Sequence, residues 1–256
     1  MGIFGLKIGI RVRDPGVLES LLSRVPVGWV PLESASVDRL YSVVTPTTRR
    51  ANLRHLCVLY GDHGRLIRTE ELEDLLEYFE SDLDLYIAAN SREILCIHAG
   101  AVNWKGHTIL LPGRSQTGKT TLVAEFLKSG AAYYSDDFAA IDQSGHLHSY
   151  PRDLSVRGES EIQRVRPEDL GATRAQPAAV SMVLFTEYAQ GEHWNPKRIS
   201  PGQGILRVLE NTPSTRNQPE FALQMVGNAI TNAEVHAGRR GEKEQTVERV
   251  LNYLDR

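Results

Sequence analysis

The residues from Gly113 to Thr120 match the pattern G-x-x-x-x-G-K-S/T, in which a glycine-rich loop encloses a phosphate group. An apolar run typical of a β-strand precedes the loop, and a run with helical spacing follows it. Strand, loop and helix in this order let the loop amides and the helix N-terminus face an anion. A glycine-rich helix cap is the simpler alternative, but a cap has no use for Lys119.

The residue types of this loop predict how it would bind ATP and Mg²⁺. Gly113 and Gly118 let the backbone approach phosphate oxygens closely. Lys119 places a positive charge on the β- and γ-phosphates, and Thr120 offers its hydroxyl to Mg²⁺. The complete set of expected nucleotide-binding residues is Gly113, Arg114, Ser115, Gln116, Thr117, Gly118, Lys119, Thr120 and Thr121.

Two adjacent carboxylates, Asp136 and Asp137, follow in a predicted strand over residues 131–142. Neighbouring strand residues point to opposite faces, so one carboxylate can face the nucleotide while the other supports it or binds metal. Phosphoryl transfer to an alcohol needs a carboxylate that accepts the hydroxyl proton. Asp136 and Asp137 are therefore candidate metal ligands together with Thr120, although an ordinary acidic turn is the alternative.

The composition excludes several classes of protein. Of the 256 residues, 41% are hydrophobic and 24% are charged, which is typical of a globular chain. The net charge of −3 argues against nucleic acid as a partner. Cys57 and Cys96 lie in apolar runs and have no CxxC partner, so we expect reduced core thiols. With no signal-peptide pattern and no apolar run near the roughly 20 residues that span a bilayer, we expect a soluble cytoplasmic protein without a membrane partner.

The pattern of elements changes near residue 90, where an acidic amphipathic helix ends. We predict a small N-terminal α+β domain over residues 1–90, which could bind the substrate or a partner, and an α/β kinase-like domain over residues 91–256. The polar stretch 157–176, which Gly and Pro interrupt, predicts a long loop. Ser200 before Pro201 predicts the start of a helix.

The order of features from His98, through the loop and Asp136-Asp137, to Arg157-Gly158 resembles HPr kinase/phosphorylase and the shorter HPr-kinase-related proteins. The resemblance covers roughly the middle quarter of the chain. It implies a P-loop fold like that of phosphoenolpyruvate carboxykinase, with a mixed, partly antiparallel sheet. It also implies an ATP-dependent kinase that phosphorylates a hydroxyl, usually a serine. By the same resemblance Asp136 is the general base, His98 lies near the transferred phosphate, and Arg157 belongs to the catalytic set.

Two departures from the family pattern change what the resemblance implies. Gln116 replaces the second glycine of the loop, and Ser155 stands where the bifunctional enzymes have a magnesium-binding glutamate. Metal binding would then depend on Thr120 and the aspartates. Phosphorolysis therefore stays open. The N-terminal part lacks clear resemblance to the HPr kinase N-terminal domain, so the resemblance does not imply HPr as the substrate. The hydroxyl acceptor (a protein, a peptide or a small molecule) and a homo-oligomeric state stay open.

Other nucleotide-binding classes fit the sequence less well. A GTPase would have an Asn/Thr-Lys-x-Asp motif, which we do not find. The segment 200–204 faintly resembles an ABC-type signature, but it follows the acidic strand instead of preceding it. A nucleotide-binding accessory or regulatory module without phosphoryl transfer is the main alternative. The presence of Asp136 favours catalysis, because passive binding needs no base.

Overall fold

The computed structural model describes residues 1–46, 56–113, 117–157 and 162–256, with the backbone alone at residues 157 and 162. The chain divides into two compact units, Met1–Arg92 and Glu93–Arg256, and each is described by itself. None of the helices within these ranges is long and apolar enough to cross a membrane.

The first unit is a five-stranded sheet with two helices in its described part. Its elements are β1 (Gly2–Ile3), β2 (Leu6–Arg11), α1 (Pro15–Leu22), β3 (Arg39–Val44), β4 (Cys57–Gly61), β5 (Gly64–Thr69) and α2 (Leu72–Asn90). The strands are ordered β1-β2-β3-β4-β5, and only the β2–β3 pair is parallel. The apolar face of α2 is buried, with Phe79, Leu83 and Ile87 fully inaccessible to solvent, as its helical spacing predicts.

The second unit is a mixed sheet with helices on both faces. Its elements are β6 (Ile94–Trp104), β7 (His107–Pro112), α3 (Lys119–Lys128), β8 (Ala132–Ser135), β9 (Phe138–Asp142), β10 (His146–His148), β11 (Leu154–Arg157), β12 (Ile162–Val165), β13 (Ala178–Ala179), β14 (Met182–Tyr188), β15 (Lys197–Arg198), α4 (Pro201–Leu209), α5 (Pro219–Ile230), β16 (Glu234–Arg240) and α6 (Lys243–Leu254).

The central sheet has the strand order β13-β10-β9-β6-β7-β14-β16-β15, and β8 pairs with β6 off this path. Strand β14 runs parallel to both β7 and β16, whereas β6 pairs antiparallel with β7, β8 and β9. The predicted mixed α/β architecture is therefore confirmed. The three parallel strands end at one edge of the sheet, and the glycine-rich loop starts at that edge.

Two apolar layers hold this sheet between its helices. Helices α4 and α5 contribute Val208 and Val226 to the layer on one face. Helices α3 and α6 contribute Phe126 and Val250 to the layer on the other face. Successive residues of β14 alternate between the two layers, as strand geometry requires. The α3 layer therefore fixes the helix that begins at the loop against the sheet.

Two predicted elements were wrong in part. The strand expected over residues 131–142 is interrupted at Asp136 and Asp137, between β8 and β9. Both strands pair with β6 in one register, with Ala101 opposite Ser135 and His98 opposite Phe138, so the interruption is a local bend at the two aspartates. The loop expected over 157–176 contains β12, which pairs antiparallel with β11. Cys57 and Cys96 are buried free thiols, as predicted.

Candidate functional site

The loop residues that the structure describes connect a buried strand to a helix at the carboxyl edge of the parallel strands. Strand β7 ends at Pro112, and the Gly113 amide donates a hydrogen bond of 3.2 Å to the His98 carbonyl. Gly118 has a φ of 83° and precedes the first residue of α3. This left-handed conformation favours glycine. Arg114, Ser115 and Gln116 lie outside the described residues.

Both described loop glycines are closely approached by side chains. A β-carbon at Gly113 would lie 2.8 Å from the Thr117 hydroxyl oxygen, and one at Gly118 would collide with the Arg240 guanidinium. Arg240 donates a hydrogen bond of 3.3 Å to the Gly118 carbonyl and one of 3.0 Å to the Gly241 carbonyl. Only 3% of Arg240 is exposed, and burial lowers the pKa of its guanidinium. Arg240 thus positions the start of α3.

Arg240 was missed by the sequence analysis. It ends β16, far along the chain from Gly118, and only the pairing of β16 with β14 brings it to the loop. No motif in the sequence marks the residue, so a knowledge of the strand order would have been needed to find it.

Lys119 lies at the first turn of α3 and is 8% exposed. Its Nζ atom lies 3.4 Å from Nε2 of His98, which stands on β6. Burial lowers the pKa of Lys119, and the negative charges of Asp137 and Asp136 act in the opposite direction. A partly desolvated ammonium interacts more strongly with an anion than an exposed one does.

Asp136 is buried beside Thr120, the residue that follows Lys119 in α3. The Thr120 hydroxyl donates a hydrogen bond of 2.8 Å to Asp136 Oδ2, whereas Oδ1 is buried and has no hydrogen-bond partner in the described part of the chain. Burial raises the pKa of Asp136 to about 6, with a further increase from Asp137, while the Thr120 hydrogen bond lowers it. The site therefore holds a carboxylate whose second oxygen is available to a ligand.

Asp137, the next residue, contacts His98 on β6. Its Oδ1 atom lies 2.8 Å from Nε2 of His98, and its side chain is 63% exposed. Nε2 thus faces both an acid and Lys119, and a single ring nitrogen cannot donate to Asp137 and accept from Lys119 at once. The tautomer and charge of His98 therefore decide which of the two is bound. The Phe138 ring lies 5.8 Å from the imidazole.

The structure brings together five of the predicted site residues: Lys119, Thr120, Asp136, Asp137 and His98. Of the other predicted residues, Gly113, Thr117 and Gly118 form the described part of the loop. Thr121 is exposed on α3, and Arg157 ends β11 with a side chain that is not described.

The oxygen donors of Thr120 and Asp136 suit Mg²⁺. Mg²⁺ prefers hard oxygen ligands and usually retains several waters, with one or two carboxylates and phosphate oxygens completing its shell. The unpartnered Oδ1 of Asp136 is a buried acceptor of the required type. The described residues contain no group of three or more His, Cys, Asp or Glu that could hold a metal by itself. The residues present therefore fit a Mg²⁺ ion that is bound by both the protein and the phosphates of a nucleotide.

A cavity of about 460 Å³ opens beside Gly113, at the carboxyl ends of β14 and β16. Its lining includes three basic residues, Lys197, Arg207 and Arg239, and one acidic residue, Glu187. The Arg207 guanidinium lies 5.6 Å from the centre of the Phe185 ring. The cavity provides space of net positive charge next to the loop.

Comparisons with known proteins leave the family of this chain open. No protein-family model matches the sequence, and no curated protein is significantly similar to it. Among solved structures, the Hpr(Ser) kinase/phosphatase from Coxiella burnetii is similar at 15% identity. The match covers 62% of this chain and 97% of that chain, with a TM-score of 0.37. A likeness this weak supports no statement about the site, so the proposal below rests on residues of this chain.

Proposed function

We propose that this chain is an ATP-dependent kinase of the HPr-kinase-like type, which transfers the γ-phosphate of ATP to a hydroxyl group, preferentially of a serine. The observation that carries the proposal is the position of Asp136. Its carboxylate accepts a hydrogen bond from Thr120, which follows Lys119 of the loop motif. The carboxylate is also buried, and its pKa is about 6. A helix cap without catalytic function would not explain a buried carboxylate there.

In this proposal the loop and α3 hold the triphosphate. The loop amides and the N-terminus of α3 bind phosphate oxygens, and Lys119 binds the β- and γ-phosphates. Thr120 and Asp136, with Asp137 adjacent, would hold Mg²⁺, which when bound neutralises charge on the phosphates. The Thr120 hydroxyl can donate to Asp136 and still offer a lone pair to a cation.

Asp136 acts as the general base. The acceptor oxygen forms a bond to the γ-phosphorus, the bond to the β-phosphate oxygen breaks, and the hydroxyl proton passes to Asp136. A carboxylate with a pKa of about 6 is mostly ionised at neutral pH and is a better proton acceptor than an ordinary aspartate. His98 lies beside both Asp137 and Lys119 and positions one of them at a time through Nε2, and Arg157 completes the set by the family pattern.

The acceptor site is the cavity beside Gly113 in this proposal. It adjoins the loop, and Asn211 of its lining accepts a hydrogen bond of 2.7 Å from the His98 amide through its main-chain carbonyl. A hydroxyl entering there would come from the His98 side of the loop. A protein, a peptide and a small molecule all remain acceptor candidates, and the experiment below identifies the class.

The test is phosphate transfer from γ-labelled ATP in a cell lysate, with purified wild-type protein and three variants. We expect a labelled product with the wild type, and none with Lys119→Ala or with Asp136→Asn. The control variant Asp169→Asn removes an exposed carboxylate that pairs with Arg166. It should give the same amount of labelled product as the wild type. Nucleotide binding without any labelled product in the wild type would support the accessory module instead.

A further inference from the structure

A second cavity, of about 660 Å³, lies on the α6 face of the sheet in the second unit. Strands β14, β15 and β16, helix α6 and the segment before β15 enclose it. Protein interiors contain few voids larger than a water molecule, and pockets for small organic ligands have volumes of about 300–1,000 Å³. The cavity therefore has the dimensions of a ligand site.

The floor of this cavity is apolar. Met182, Leu184 and Val250 line it, each 3% exposed, together with Trp194 at 6%. Strand alternation explains the composition, because Met182 and Leu184 face α6 while the residues between and after them face the opposite layer. An apolar floor beside an indole favours a flat hydrocarbon or aromatic group.

The rim of the cavity is basic. Arg198 and Arg249 lie on the strand and helix sides, and the lining also includes Arg256. Arg249 donates a hydrogen bond of 3.0 Å to the Trp194 carbonyl, and this bond holds the Arg249 guanidinium beside the apolar floor. Arg198 and His236 are cross-strand partners and so share one face. Among the residues that the structure places around this cavity there is no Asp or Glu.

One acid, Glu234, contacts residues of this lining and already has several partners. The Tyr253 hydroxyl donates a hydrogen bond of 2.7 Å to Oε2 of Glu234, and His236 Nε2 lies 3.2 Å from the same oxygen. The Arg198 guanidinium lies 3.8 Å from Oε1 of Glu234. Its single negative charge cannot balance both arginines of the rim. A net positive rim above an apolar floor favours an organic anion over a neutral or cationic ligand.

We propose that this cavity is a binding site for a small aromatic carboxylate, with the ring on the floor beside Trp194 and the carboxylate on Arg198 and Arg249. Guanidinium groups bind carboxylates through paired hydrogen bonds, and the bonds gain strength where apolar surface excludes water. The site is distinct from the phosphate loop. His236 precedes Arg240, which contacts the loop, by roughly 13 Å along β16. The proposal therefore stands independently of the kinase proposal.

The test is a titration of the full-length protein with 2-naphthoate, followed by calorimetry and by quenching of tryptophan fluorescence. The matched probe is 2-naphthamide, which keeps the ring and loses the charge. We expect saturable binding of the carboxylate and an affinity for the amide at least about tenfold lower, since charge-assisted hydrogen bonds exceed neutral ones. Equal affinities, or no saturable binding of naphthoate, would overturn the proposal.

Variants locate the binding site. Arg198→Gln combined with Arg249→Gln should reduce naphthoate affinity at least about tenfold and leave the weak amide binding unchanged. Arg166→Gln combined with Arg216→Gln removes two exposed arginines elsewhere and should bind as the wild type does. Saturating ATP–Mg²⁺ and Lys119→Ala should not alter the affinity. Competition by ATP, or equal losses in the two double variants, would refute a separate anion site.

Discussion

The burial of Asp136 makes the free energy of unfolding depend on pH in a way that can be calculated. Its pKa rises from 3.8 to about 6 on folding, so the folded protein binds this proton more tightly than the unfolded chain does. The stability that this group contributes is fully present below pH 3.8 and is lost as the pH rises through about 6. The interval between the two pKa values corresponds to about 3 kcal/mol.

Asp136→Asn removes this titration. The free energy of unfolding of the variant, relative to that of the wild type, should therefore increase by about 2 kcal/mol between pH 4 and pH 8, since a small part of the effect is already lost at pH 4. The comparison is a difference between two pH values. A constant cost of placing an amide at the buried Oδ1 position cancels from it, and only the loss of the ionisable group remains.

Urea unfolding in EDTA without nucleotide measures this difference. Tryptophan fluorescence reports on the second unit when Trp29→Phe is present in both proteins, because Trp104 and Trp194 then supply the signal. Asp169→Asn, at an exposed carboxylate, serves as the control and should show little of this pH dependence. If the Asp136→Asn and parent stabilities run parallel from pH 4 to pH 8, the burial argument for a catalytic base is refuted.

Four further outcomes follow from the site. Lys119→Ala should lower ATP–Mg²⁺ affinity at least about 100-fold in calorimetry, and an unchanged affinity would contradict the phosphate role. The rate of phosphoryl transfer should fall at acidic pH, where Asp136 becomes protonated; a flat profile would exclude it as the base. Gly118→Ala forces a β-carbon into left-handed backbone and should reduce stability by about 1–2 kcal/mol, measured by urea unfolding. Gly100→Ala places a β-carbon 2.5 Å from Val123 Cγ2 and should cost about 1–3 kcal/mol, which the added Val123→Ala should partly restore.

Local features of the fold were predictable because they depend on neighbouring residues. The amphipathic spacing of α2 and the Ser200 cap of α4, which forms a capping box with Gln203, are encoded within one or two turns of helix. The break between β8 and β9 falls at Asp136 and Asp137, a residue type that strands disfavour, and it corresponds to the acidic-turn alternative for this run. The register with β6 is the same on both sides of the break, so the break is a local bend at Asp136 and Asp137.

The basic lining of the two cavities was hidden from the sequence. Lys197 and Arg198 are neighbours in β15, yet one lines the cavity beside the loop and the other lines the cavity under α6. Strand alternation sends adjacent residues to opposite faces. The sequence pattern in this segment is too short to show that residues 197 and 198 form a strand.

The contiguous motif from Gly113 to Thr120 determined the kind of ligand expected, because a loop, a lysine and a hydroxyl residue act through one short stretch of backbone. Only the tertiary structure decided that Asp136 lies on Thr120 with an unpartnered oxygen, and that Arg240 closes over Gly118. These contacts join residues far apart in the chain, and their formation depends on strand order and register. Register is determined by the packing of whole faces of the sheet, so no local pattern encodes it.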